Sequence, residues 1–445
     1  MKRNLVINIQ QLIAVGSLWS HRLPACEFKP TGWKPMPHFP CTMLTIALMM
    51  PCLRANAVEP TFKKQVLSEQ FIAEGANFAD FDHDGQNDIC AGPYIWKGPD
   101  FKSRVEYTAP SEKPYIAETG YSDYFLSYTY DFNSDGWSDI LVYSWPGKET
   151  WVFENPQNKP GHWTRHSIFD VTDNESPTIG DLNGDGKPEL ICHSSDGLPK
   201  KSGGQLGYVE INWNQPFGKA RFRPITPVTP ENTEKYFKYT HGYGYGDING
   251  DGRPDLLTKE GWLEQPADTK EDQLWTLHPV AFGPEKAKGG SFMLVYDVNA
   301  DGRNDVITSH DAHGYGFSWY EQSKDGTFAE HKLMGSTLED SPVGVKFSQL
   351  HAMQLADVDG DGVMDVVTGK RRWAHGPKKD EEPMADPVLY WFQIKRDGKG
   401  GASFIPHLID NDSGVGTQVT PGDINKDGKV DVVVSNKRGV FVFTQ

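Results

Sequence analysis

The chain has 445 residues, with 31 Pro, 45 Gly, 12% aromatic residues and a formal net charge of −16. The acidic balance excludes nucleic acid as a partner, and no stretch is long and apolar enough to cross a membrane as a helix. A mean hydropathy of −0.56 with so much Pro and Gly points to many short strands joined by tight turns.

The first element is read as targeting rather than fold. Met43–Leu53 is a short apolar core, and Ala55-Asn56-Ala57 follows it as a small-x-small cleavage site. Residues 1–42 are too long and too Pro-rich for a positively charged leader, so the start is expected at Met36 or Met43, with cleavage after Ala57. Cys52 suggests a lipoprotein anchor, but Met50 and Pro51 are poor residues for that signal. The expected mature chain, 58–445, is therefore secreted or periplasmic. Cys26, Cys41 and Cys52 fall in the lost segment. Cys90 and Cys192 lie in repeats that are not neighbours, and are expected as buried free thiols.

From residue 80 onward one acidic nine-residue loop recurs seven times. Its oxygen-bearing positions one, three, five and nine are Asp80, Asp82, Asp84 and Asp88 in the first copy; Asp131, Asn133, Asp135 and Asp139 in the second; and Asp181, Asn183, Asp185 and Glu189 in the third. They continue as Asp247, Asn249, Asp251 and Asp255; Asp297, Asn299, Asp301 and Asp305; Asp357, Asp359, Asp361 and Asp365; and Asp423, Asn425, Asp427 and Asp431. Position six is always Gly. Ca²⁺ takes six to eight hard oxygen ligands, and Gly permits the sharp turn around the ion, so up to seven structural Ca²⁺ sites are expected. An EF-hand would place its Glu at position twelve and run into a helix. Here the acid stands at position nine and a β-branched run follows, as in Val432-Val433-Val434-Ser435. The loop therefore joins two strands.

The flanking text repeats too. A strand ending in Ala, Tyr or Gly precedes each loop, an apolar strand follows, and then an aromatic one such as Tyr94-Ile95-Trp96 or Tyr390-Trp391-Phe392. A fourth strand closes the unit, as in Trp163-Thr164-Arg165-His166. The mature chain opens on a fourth-type strand (Phe62 to Leu67) and stops after a third-type one (Val440 to Phe443). The fold expected is an all-β, seven-bladed β-propeller of four-stranded antiparallel blades, closed by the N-terminal strand completing the last blade. Roughly 55 residues per blade is a normal propeller period.

These D-x-[DN]-x-D-G-x-x-[DE] loops resemble the FG-GAP/VCBS repeat propellers, the family that includes the head of integrin α chains. A narrower likeness sits in the last two repeats. His351-Ala352, Trp373-Ala374-His375-Gly376, Leu389-Tyr390-Trp391-Phe392 and Ser413-Gly414-Val415-Gly416-Thr417-Gln418 resemble the propeller of aldos-2-ulose dehydratases. That resemblance implies elimination of water from keto-sugars such as 1,5-anhydrofructose. The cupin modules of the fungal enzyme have no counterpart here, so no isomerase step is carried over.

The long insertions, His193 to Gln205, Thr226 to Thr240, Gly335 to Gln349 and Gly369 to Pro387, all fall on the rim opposite the acidic loops, where function is expected. Six residues before each loop stand Glu74, Phe125, Glu175, His241, Ser291, His351 and Thr417, so two Glu and two His converge on the channel mouth. Strand exits on the same rim supply His310 and Lys370, with His193, Lys259, Asp311, His313, Arg371 and His375 beside them. Glu74, Glu175, His241 and His351 are the candidate base and ligands of a further divalent metal in the central funnel; His310 and Lys370 are the candidate electrophiles. Against this, channel mouths are polar because they hold water, and Arg371-Arg372 is read as a solvated loop. His166, His278, His331 and His407 recur on fourth strands and are read as structural. Two functions stay open: a carbohydrate-binding carbon–oxygen lyase, or a non-catalytic propeller that binds a glycan, a small molecule or a protein partner, as adhesion-type heads do.

Overall fold

The computed structural model describes residues 59–198, 204–269, 272–286 and 288–445. The targeting segment expected over 1–57 lies outside them. Over the rest, the strand periodicity resolves into seven sheets of four antiparallel strands, six of them running from inner to outer strand in chain order. The first blade is Ala76–Ala79, Asp88–Ala91, Tyr94–Trp96 and Arg104–Glu106. The seventh takes its outer strand from the other end of the chain: Lys63–Ser68 pairs with Gly439–Thr444, Lys63 opposite Thr444 and Ser68 opposite Val440. The result is the seven-bladed propeller expected, closed by its N-terminal strand.

Second strands are buried throughout and mostly apolar because both their faces are covered. Asp139–Tyr143 and Asp431–Asn436 are buried at every position. Between blades one and two, Ile89 and Ile95 pack with Ile140, Val142 and Phe153; between six and seven, Val367 and Trp391 pack with Val432 and Val434. Burial of this kind stabilises by about 25 cal/mol per Å² of apolar surface, and among the described residues it does so without a cross-link: Cys90 and Cys192 are free, buried thiols.

Each acidic turn is built the same way. The first-position Asp accepts the N–H of the sixth-position Gly in all seven, from Asp131 with Gly136 at 2.8 Å to Asp423 with Gly428 at 3.1 Å. Those glycines sit near φ +90°, the left-handed region that other residues enter at a cost. The ninth-position acid is buried in every copy and clamps the turn to its sheet. In blade two, Asp139 accepts Phe132 N–H on one oxygen and Asn155 N–H, at the end of the third strand, on the other. Burial drives these acids upward, Asp139, Glu189 and Asp365 to about 7 and Asp255, Asp305 and Asp431 to about 6. Further in, Asp80, Asp357 and Asp423 each keep one buried carboxylate oxygen without a partner. Buried acceptors left bare are costly, and a cation against them removes the cost.

Blade one departs from the pattern. Lys97 reaches back so that its ammonium lies 2.9 Å from Asp82 and 2.9 Å from Asp88. Lys426 of the seventh turn donates to Gly85 O at 2.7 Å and stands 3.8 Å from Asp80.

The fourth-strand histidines are held in stacks. His278, His331 and His407 lie flat on Trp262, Trp319 and Trp391, their cross-strand neighbours, with ring centroids 4.0, 4.3 and 4.2 Å apart. His166, opposite Val152, stacks instead on Phe217.

Candidate functional site

At the end of the inner strands opposite the acidic turns, the residues that begin those strands turn toward the axis and meet. Glu74 precedes the first blade's inner strand. Its backbone is fixed by N–H to Tyr124 O at 2.9 Å and by accepting Thr417 N–H at 3.0 Å. Gly416 makes that approach possible, since a Cβ there would sit 1.9 Å from Glu74 O. Glu175 is held by N–H to Thr240 O, and His351 is the second residue of the inner strand of blade six, Leu350–Ala356.

The side chains form one buried knot. Arg371 donates to Glu74 Oε2 at 2.8 Å and to His351 Nε2 at 2.9 Å. His241 Nε2 lies 3.3 Å from His351 Nε2, and Glu175 Oε2 lies 3.5 Å from each of those nitrogens. Glu74 is 0% exposed and its Oε1 has no partner.

The proton positions follow from the partners. His241 Nδ1 faces the Tyr239 carbonyl at 2.8 Å, which can only accept, so that nitrogen carries the proton. His351 Nε2 faces a guanidinium, which can only donate. Burial pushes both imidazoles below their ordinary range and keeps them neutral. His241 Nε2 therefore turns an unprotonated lone pair toward Glu175 Oε2, while the one lone pair of His351 Nε2 accepts the Arg371 N–H. Ligands about 2.1 Å from a tetrahedral ion lie roughly 3.4 Å from one another. The 3.3, 3.5 and 3.5 Å edges fit that triangle.

Two non-glycine residues with left-handed backbones support the knot. Tyr239, at φ +75°, donates N–H to Asp173 O and turns its carbonyl to His241. Gln349, at φ +60°, accepts the Arg371 N–H at 3.0 Å. Strain of this kind persists where surrounding structure over-determines it, and it gathers at functional sites.

Further groups border the cluster. His313 packs on His241 and His351, with ring centroids 4.9 and 5.6 Å away, and its neighbour His375 is bonded to Asp380 at 2.8 Å. Tyr121 is half-buried; burial pushes its phenol up to about 12. Lys437 lies 4.3 Å from the Tyr121 ring and donates to Ala374 O, and burial brings it down to about 8.

Of the residues singled out in the sequence, the structure brings Glu74, Glu175, His241 and His351 together. His310 does not join them: its Nε2 meets Tyr320 Oη at 3.0 Å within its own blade. Nor does Lys370, whose ammonium is buried on Ser348 Oγ at 3.0 Å. His193 packs edge-on against Tyr236 and Tyr243. Arg371 corrects the sequence reading. It is no solvated loop residue but 1% exposed at the centre of the knot, because two carboxylates there require a counter-charge. Asp380 and Tyr121 were not anticipated, since they stand in insertions with no counterpart in other repeats; Lys437 was passed over although it holds the strand-exit place that Arg371 holds in blade six.

A family model described as an FG-GAP-like repeat matches residues 131–192 and 297–368, so the chain carries FG-GAP-like repeats. Among curated proteins, the rhamnogalacturonan endolyase YesW of Bacillus subtilis (strain 168) is 23% identical over 291 residues, 56% of this chain and 44% of that protein. The chain thus spans less than half the length of that relative. Solved structures with a similar course include the exotype rhamnogalacturonan lyase YesX, at 13% identity and TM-score 0.41, covering 86% of this chain and 72% of the other. The Bacillus licheniformis rhamnogalacturonan lyase PL11 aligns at 13% identity and TM-score 0.42 with the same coverage. The V. cholerae biofilm matrix protein Bap1 aligns at 13% identity and TM-score 0.34, covering 83% and 76%.

Proposed function

We propose that this propeller is an extracytoplasmic carbon–oxygen lyase that binds a sugar at the funnel opposite its calcium-binding turns. One observation carries the reading: Glu175 Oε2, His241 Nε2 and His351 Nε2 form a buried triangle with edges of 3.5, 3.5 and 3.3 Å, beside the Arg371 guanidinium. A divalent metal held by these three residues, taking the His351 Nε2 lone pair from the Arg371 N–H, would polarise a sugar carbonyl there. The curated relative, by name a rhamnogalacturonan endolyase, supports the reaction class.

The chain's own residues then divide the work. Glu74, with one bare oxygen, takes the proton from the carbon beside the carbonyl. Arg371, pinned by Glu74, faces the oxygen on which negative charge gathers. The C–O bond one carbon further breaks, and the Tyr121 phenol, still protonated at neutral pH, hands its proton to the departing oxygen, which leaves as water or as a sugar hydroxyl.

The test is turnover. Protein supplied with calcium and zinc is incubated with 1,5-anhydrofructose, and separately with rhamnogalacturonan, while the absorbance of the new conjugated double bond is followed. Product is expected with one of them. Glu74→Gln should lower kcat by about 10²–10⁴-fold, the usual worth of a general base. If neither sugar reacts, yet one binds in calorimetry, the protein is a glycan-binding propeller and the lyase reading falls.

A further inference from the structure

Beside the triangle of Glu175, His241 and His351 stands a second set of donors that the reaction above does not use. His313 comes from the loop between the second and third strands of blade five, His375 and Asp380 from the long insertion of blade six. One ligand atom from each of the three lies within 4.8 Å of the others. Asp380 is 2% exposed. Its Oδ2 is taken by the backbone N–H groups of Ala374 and His375, at 2.8 Å each, which aims Oδ1 at the two imidazoles. Oδ1 lies 2.8 Å from His375 Nδ1 and 3.8 Å from His313 Nδ1. His313 Nδ1 is buried with no partner. His375, by contrast, is 46% exposed.

The insertion is held in place, so this is not a chance meeting of loop tips. Glu381 N–H donates to His313 O, joining the two loops directly, and Trp373 Nε1 donates to Ala117 O. Ser348 Oγ and Gln349 Nε2 both donate to Glu381 O. The residue that would bridge the two sets is His313, whose ring also packs on His241 and His351.

We infer that His313, His375 and Asp380 form a second transition-metal site, next to the Glu175–His241–His351 triangle and open to solvent on the His375 side. Two imidazoles and one carboxylate suit zinc-like borderline ions rather than Ca²⁺, which prefers all-oxygen sets. Three protein ligands leave a position free, as in sites that bind water or substrate. The funnel would then hold a pair of metals. This inference adds to the proposed function but rests on different ligands, so the two are separable.

The full chain is stripped with chelator, returned to millimolar calcium to fill the acidic turns, exposed to zinc and gel-filtered. Zinc per chain is then counted in the wild type, His375→Ala, Asp380→Asn and His241→Gln. Two zinc ions are expected in the wild type and one in each variant. His375→Ala alters an exposed side chain, and an unchanged circular dichroism spectrum certifies its fold. One ion in the wild type, lost in His375→Ala and kept in His241→Gln, supports the outer site and sinks the inner one. One ion lost only in His241→Gln overturns the outer site, leaving His375–Asp380 an ordinary hydrogen bond. No zinc in the wild type overturns both.

Discussion

A neutral imidazole sealed among aromatic rings makes a protein sensitive to acid, and His193 is such a group. Burial takes it from 6.5 down to about 3. Below pH 6.5 the unfolded chain binds a proton there that the folded chain refuses, so stability falls as pH drops from about 6.5 towards 3, by about 1.4 kcal/mol per unit. Urea unfolding of His193→Gln should therefore show a shallower loss of stability across that window than the wild type; equal slopes would acquit His193. Other single residues divide sharply in how readable they were. Glu74, Glu175, His241 and His351 could be picked by counting back six places from a repeated loop, because rotational symmetry aims equivalent positions at one axis. Arg371 could not. It follows the strand exit by one residue in an insertion, and only the carboxylates around it, contributed by blades one and three, give it a burial site.

At the scale of the element, the acidic turn was wholly legible: spacing and the sixth-position glycine predict the backbone that the structure contains. Its inequality between blades was less so. Lys97 stands where Glu154, Glu264 and Glu321 stand in other repeats, toward the end of the third strand, and that position reaches the loop's third residue: Lys97 to Asp82, Gln393 to Asp359, Glu321 to Asn299. The signal was in the sequence as a lysine among glutamates, but its meaning depends on knowing that this side chain folds back. An ammonium between Asp82 and Asp88 takes the place of an ion, so the wild type should hold six tightly bound calcium ions rather than seven. Lys97→Met should raise the count by one, as read by flow dialysis. An unchanged count would show that the first turn binds calcium regardless of its lysine.

For the whole molecule, closure is the decisive contact. The strand Lys63–Ser68 shields the edge of Gly439–Thr444 and lays the Lys64 ammonium 4.8 Å over the Phe441 ring. A chain beginning at Glu69 should leave that edge bare, melt several degrees lower and associate through it; light scattering and thermal unfolding would register both, and a truncated monomer with native stability would refute the role. Both ends of this strap were visible as a fourth-type strand without a blade and a last blade without a fourth strand. What no repeat pattern conveys is the cargo of the ring, since the knot draws on blades one, three, four and six at once. The strand nearest the start of the described residues is thus paired with the one nearest their end. Opening that one seam should let the blades splay, so that Glu74, Glu175, His241 and His351 lose their common focus while each separate sheet is still intact.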